Sequence, residues 1–221
     1  MNDLFLHHFD SSQIRRPEQM LPDVPMPMTL YSMSCAVSAH DFFSLAKHHN
    51  ITAILDTRLK TRYRGFGFAT LDTDFHYLCE LHGVAYYPGG VLAPTDDLRK
   101  KFHREFTEPK TQNKRNPNAW TEFLSGYESL LKERKPLQSG VVYDILYNSA
   151  HTNVAVVCSC LHHHDCHRSY ACGVVSRYIP SVSVSILYPG GVEPRRKSPR
   201  RYRNVAFVHA DLPVNSPSRG R

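Results

Sequence analysis

Three cysteines and four histidines share one short stretch, Cys158-Ser159-Cys160-Leu161-His162-His163-His164-Asp165-Cys166-His167-Arg168. Thiols this close together, in a chain with only six cysteines, mark a reactive or metal-binding group of a reduced compartment rather than a disulfide scaffold. The second half of the stretch opens a predicted helix capped by Asp165, so backbone N–H groups around Cys166, His167 and Arg168 would face an anion. A cysteine at such a position has a lowered pKa, and His167 or Arg168 would lower it further. The stretch therefore admits phosphate binding, a thiolate nucleophile (Cys158 or Cys166) or zinc. Zinc would take Cys158, Cys160, Cys166 and one of His162, His163 and His164. The usual C-x2-C knuckle is missing, so zinc is the weakest of the three, and no metal is expected. An exposed polar loop accounts for the three successive histidines more simply than ligation does. The phosphatase loop is excluded, because no cysteine is followed six positions later by an arginine.

A second constellation is Asp56-Thr57-Arg58, directly after the apolar run ITAIL. A carboxylate at a strand mouth can position water or stabilise an oxocarbenium, while Arg58 holds a phosphate. The competing reading is an Asp–Arg pair that caps neighbouring helices. Gly65-Phe66-Gly67-Phe68 and Pro88-Gly89-Gly90 match neither a dinucleotide fingerprint nor a P-loop, so no cofactor is expected. No serine nucleophile elbow is present. Cys35, Cys79 and Cys172 fall on apolar faces and are expected to be buried structural thiols.

These groups are positioned by alternating strands and helices. Extended runs are predicted at 29–34, 51–56, 84–87, 154–157 and 182–187, with less decisive ones at 141–147 and 202–209. Helices are predicted at 39–49 behind a Ser38 N-cap, at 70–82 ahead of Gly83, around 95–107, at 120–131 and after Asp165. The alternation implies a three-layer α/β fold with a mostly parallel, doubly wound, Rossmann-like sheet. Ligands of such sheets bind beyond the carboxyl ends of the strands, where both constellations fall. The division is a Pro-rich arm (1–28), an α/β catalytic domain (29–192) and a basic C-terminal extension (193–221).

At 221 residues with 41% hydrophobic content, the chain is long enough to bury the core of one such domain. No run reaches the roughly 20 apolar residues that span a bilayer, and the N-terminus lacks a signal-peptide pattern. A cytoplasmic protein with no membrane partner is expected. The net charge is +7, and residues 193–221 hold eight Lys/Arg against two acids, so the rest is close to neutral. The basic residues of the tail include Arg195, Arg196, Lys197, Arg200, Arg201 and Arg203; other patches hold Arg62, Arg64, Lys100, Lys101, Lys114 and Arg115. Tyr63 and Tyr202 interleave with them, which is the footprint of phosphate-backbone binding, with DNA favoured over RNA.

The segment 38–58, the Tyr86-Tyr87 turn into Gly89-Gly90, the 120–131 helix and the C-x7-C-H-R element from Cys158 to Arg168 occur in this order in one family. The chain resembles the prokaryotic domain-of-unknown-function family 488 over roughly residues 29–188. The resemblance implies a three-layer α/β fold and a site holding Asp56, Arg58, Cys158, Cys166, His167 and Arg168. Two departures stand out. Met33-Ser34-Cys35 occupies the place of the family's G-Y-S, and Cys160 replaces the glutamate of its C-x-E.

With no nucleotide or flavin motif, the expected chemistry needs only acid–base and electrostatic groups. The leading expectation is a nucleic-acid-directed hydrolase cleaving an N-glycosidic bond, a DNA-glycosylase-like enzyme for modified or foreign bases such as phage defence would require. Asp56 would act on the sugar, Arg58 and the Cys166–Arg168 helix start on phosphates, and Tyr31, Tyr63, Phe66 and Phe68 would stack on a flipped base. The alternatives are a cysteine-dependent enzyme and a non-catalytic, zinc-stabilised nucleic-acid-binding module.

Overall fold

The computed structural model describes residues 6–8, 20–59, 67–69, 72–107, 118–138, 140–164 and 166–189. Among the described residues six strands form one sheet: β1 (Leu6–His8), β2 (Met28–Ser34), β3 (Ala53–Asp56), β4 (Ala85–Pro88), β5 (Asn153–Cys158) and β6 (Val182–Leu187). Their spatial order is β1-β6-β2-β5-β3-β4. Strands β2 to β6 are all parallel, and β1 adds antiparallel to β6 at one edge. The α/β, Rossmann-like architecture is therefore the one the alternation implies, and Leu6–His8 of the N-terminal arm contributes an edge strand.

Side chains leave a strand alternately to its two faces, and the core divides accordingly. Leu30, Leu55, Val154 and Val156 face a layer that includes α4 (Ala119–Arg134) and α6 (His167–Tyr178). Tyr31, Met33, Ile54, Ala155 and Val157 face α1 (Ala39–His48) and α2 (Asp72–Leu81). Helix α1 follows β2 on one face and α6 follows β5 on the other, although β2 and β5 are neighbours. That reversal is a topological switch point, and it opens the crevice beyond the strands' carboxyl ends.

Local chemistry sets the helix limits. Ser38 caps α1 by accepting from Asp41 N at 3.0 Å. Gly83, at φ +67°, supplies the left-handed residue that stops the chain after α2. Two short helices complete the layers, α3 (Asp96–Phe102), which runs into a π-turn, and α5 (Gly140–Tyr143), extended by a π-helix over Asp144–Asn148.

The structure corrects the extended reading of 141–147. Val142, Ile145 and Leu146 are buried at i, i+3 and i+4, a helical stripe inside an apolar run too short for periodicity alone to classify. The start of α6 is also corrected by one step: Cys166, not Asp165, is its N-cap residue. Residues 202–209 lie outside the described residues. Among the described residues no helix is long and apolar enough to cross a membrane.

Candidate active site

The ends of β2, β5 and β3 are tied side by side. Cys35 N donates to Cys158 O at 3.0 Å, and Thr57 N donates to Val157 O at 2.9 Å. Thr57 Oγ1 also gives its proton to Val157 O, at 2.9 Å. Opposite, at the first turn of α6, His167 Nε2 sits 3.0 Å from Thr57 O and 3.2 Å from Thr57 Oγ1. A carbonyl oxygen only accepts, and this hydroxyl has already spent its proton, so Nε2 carries the hydrogen. The titratable nitrogen is then Nδ1, which faces Cys158 Sγ at 4.0 Å. The edge of Tyr127 walls the imidazole, with ring centroids 5.8 Å apart.

Around this pair the thiols converge. Cys158, Cys160 and Cys166 have their sulfurs within 4.8 Å of one another, and Cys158 and Cys160 are 3.8 Å apart. Cys158 and Cys166 are 4% and 1% exposed, and Cys160 is the most open of the three. Hydrogen bonding with Cys160 and Cys166 holds the Cys158 thiol well below the usual range; burial opposes this and the charge on His167 adds to it. The bond with Cys158 pushes Cys160 well above it. Burial works against a charged His167, but the negative charge and hydrogen bond of Cys158 outweigh it and raise the ring well above its ordinary value. Both shifts favour a thiolate at Cys158 beside a protonated His167.

Arg168 locks the loop that carries Cys160. Its Nε donates to Ser32 Oγ at 3.0 Å, and its Nη1 donates to Cys160 O at 2.6 Å and to Cys166 Sγ at 3.3 Å. At 1% exposure it is a positioning residue for the sulfurs rather than a clamp for substrate phosphate. Three sulfurs this close could supply three of the four donors that a closed zinc site needs, and among the described residues no fourth His, Cys, Asp or Glu joins the group. His162, His163 and His164 stand outside that compact group; His163 is engaged with Tyr188.

Asp56 and Arg58 occupy the opposite face. Alternation along the strand end sends Thr57 toward α6 but Asp56 and Arg58 toward α2. The Asp56 carboxylate accepts from Arg58 Nε at 2.8 and 3.0 Å, Arg58 Nη2 at 2.6 Å, Arg58 N at 3.1 Å and the Tyr86 hydroxyl at 3.0 Å. Arg58 Nη1 donates to Ala69 O at 2.6 Å, and the guanidinium lies over the Phe75 ring, 5.2 Å from its centroid. Both side chains are essentially sealed from solvent, at 0% and 1% exposure. The guanidinium is held above its ordinary range: burial opposes this, and the bonds and charge of Asp56 prevail.

The expected nucleic-acid contacts are only partly within view. Lys100 pairs with Asp96 at 3.8 Å and Lys101 with Glu122 at 3.0 Å, so acids offset both. Tyr31 is 9% exposed within the sheet, and Phe68 packs with Phe42, Phe43 and Phe75, so neither serves as a stacking platform. Arg62, Tyr63, Arg64, Phe66, Lys114, Arg115, Arg195, Arg196, Lys197, Arg200, Arg201, Arg203 and the capping Asp165 lie outside the described residues.

Four residues of the site escaped sequence reasoning: Thr57, Ser32, Ser169 and Tyr86. Ser32 carried little signal, because Thr29 and Ser34 put hydroxyls in the same strand; its Oγ meets Ser169 Oγ at 3.0 Å as well as Arg168. Thr57 carried only its place at a strand end. Searches of curated proteins and of solved structures found no match. A family model does match, over residues 38–175, which include Asp56, Arg58, Thr57 and the whole cysteine cluster. The chain therefore belongs to DUF488, a domain of unknown function.

Proposed function

We propose that the chain is a cysteine-dependent enzyme in which Cys158 is the nucleophile and His167 its proton acceptor. The carrying observation is the pinning of His167 Nε2 on the Thr57 carbonyl, which leaves Nδ1 directed at the Cys158 sulfur. The glycosidase expectation needs Asp56 to meet a sugar. Its oxygens are taken up by Arg58 and Tyr86 in a sealed pocket, so the geometry favours the thiolate. A nucleic-acid partner remains part of the proposal only through the basic residues of 193–221.

The test is alkylation by iodoacetamide between about pH 5 and 9, in a Cys160→Ser background, read at each cysteine by mass spectrometry. The Cys158 value is depressed and that of His167 raised, so the ion pair exists in the window between them. It is lost in acid as the sulfur protonates, and in base as the imidazole deprotonates. The labelling midpoint of Cys158 therefore falls below the ordinary thiol value of about 8.5, and His167→Asn moves it upward. At neutral pH the thiolate fraction exceeds that of an ordinary thiol by up to about 30-fold. Cys35, Cys79 and Cys172, which burial pushes up to about 12, stay unlabelled. A Cys158 midpoint at or above the ordinary value, or one indifferent to His167→Asn, overturns the reading.

A further inference from the structure

We propose that Cys158 and Cys160 form a reversible dithiol–disulfide couple whose oxidant is a small hydroperoxide. The inference rests on Cys158 being the thiolate nucleophile, and it adds the role of Cys160 and the class of substrate.

Geometry selects the partner thiol. The sulfurs of Cys158 and Cys160 are 3.8 Å apart, and a disulfide needs about 2.0 Å. Cys158 is anchored at the end of β5, its carbonyl bonded to Cys35 N. Cys160 lies two residues on, in the loop before α6, and is the most open of the three thiols. It can close the remaining gap and can be reached by a reductant. Cys166 is 1% exposed, begins α6 and has its sulfur bonded by Arg168. It is the less accessible candidate, and its sulfur is already engaged.

Access selects the oxidant. At 4% exposure, Cys158 is open to a small uncharged oxidant and closed to the disulfide of a folded protein. In the first step the Cys158 thiolate attacks the terminal oxygen of ROOH, and the O–O bond breaks. The departing alkoxide takes the proton from His167 Nδ1 and leaves as ROH, with Cys158 as its sulfenic acid. In the second step the Cys160 sulfur attacks the Cys158 sulfur and the S–O bond breaks. The hydroxide released combines with the Cys160 proton to leave as water. Two electrons pass from the two sulfurs to the peroxide, and an external dithiol restores both thiols by exchange.

The experiment treats the full chain with hydrogen peroxide, quenches it, and maps disulfides by non-reducing peptide mass spectrometry. Wild type is expected to lose two hydrogen masses, recovered on dithiothreitol treatment, with one Cys158–Cys160 linkage. Cys160→Ser gains oxygen on Cys158 and forms no disulfide. Cys158→Ser takes up no oxygen at peroxide levels that convert wild type, and circular dichroism confirms that both variants are folded. A Cys158–Cys166 linkage, or an oxygenated Cys158 in wild type with no linkage, overturns the role of Cys160. A Cys158 that alkylates with a depressed midpoint yet ignores peroxide overturns the substrate class alone. A normal midpoint removes the thiolate reading on which the inference stands.

Discussion

Replacing Asp56 by asparagine separates a structural carboxylate from a chemical one. The change keeps the side chain's shape but removes its charge and turns one acceptor into an amide donor. In the structure that donor faces either Arg58 N and Nε, or Arg58 Nη2 with the Tyr86 hydroxyl, because donors surround both carboxylate oxygens. The Arg58 guanidinium, 0% exposed, is left without its counter-charge. Breaking one side of a buried ion pair typically costs about 3–5 kcal/mol. That is a large share of a total of about 5–15 kcal/mol. In a domain of this length it lowers the melting temperature by about 6–20 °C. Urea unfolding of Asp56→Asn, Arg58→Met and the double variant Asp56→Leu/Arg58→Met measures it. The double variant regains much of the loss, since no buried charge is stranded. It does not regain all of it, because Ala69 O loses its donor. Below the melting transition, Cys158 alkylates in Asp56→Asn at close to the wild-type rate. An unchanged urea midpoint refutes the structural assignment. Base release from a modified duplex by wild type, lost in a fully stable Asp56→Asn, refutes the placement of the chemistry at the cysteines.

Three further outcomes follow from the same geometry. A Cβ on Gly89 would lie 2.7 Å from Leu55 Cδ1 and 3.1 Å from Asp56 O, so Gly89→Ala destabilises by about 1–3 kcal/mol in urea unfolding. Ser32→Ala removes the acceptor of Arg168 Nε, costs about 1–3 kcal/mol by the same assay, and loosens the loop bearing Cys160, read as faster alkylation of that thiol. A chain ending at residue 192 loses duplex-DNA affinity at about 50 mM salt by tenfold or more, with a shallower salt slope, whereas a full-length affinity flat across salt contradicts phosphate contacts.

Much of the sheet was legible because β2, β3, β5 and β6 are short apolar runs between turn signals and helix caps. Ser38 and Gly83 marked real ends because each satisfies a specific need, an orphan N–H and a left-handed residue. Residues 141–147 were misread because Val-Val-Tyr-Asp-Ile-Leu-Tyr fits either period over so few residues. Burial of Val142, Ile145 and Leu146 against the sheet decided for helix, and that is tertiary information. The edge strand Leu6–His8 was hidden for a related reason: a three-residue strand exists only through its pairing with β6.

The site was legible as two clusters, and the structure sets them on opposite faces of the sheet. Asp56, Thr57 and Arg58 are consecutive, but a strand end obeys the same alternation as the strand behind it. Ile54 faces α1 and α2, so Asp56 and Arg58 follow it, while Leu55 faces α4 and α6, so Thr57 follows that side. The residue between the two charged ones is therefore the one that reaches His167. Charge drew attention to the flanking pair, whereas the contribution of Thr57 is a carbonyl, which no residue type announces. Cys160 shows the converse. Its side chain was visible as a departure from the C-x-E of the resembling family, but its consequence depends on the 3.8 Å to Cys158. A glutamate there could accept a proton or hold a cation, and it could never close a bond to sulfur. The substitution therefore confines the dithiol chemistry to chains that carry both thiols, and Cys160→Glu should retain the alkylation behaviour of Cys158 while losing the peroxide-driven disulfide.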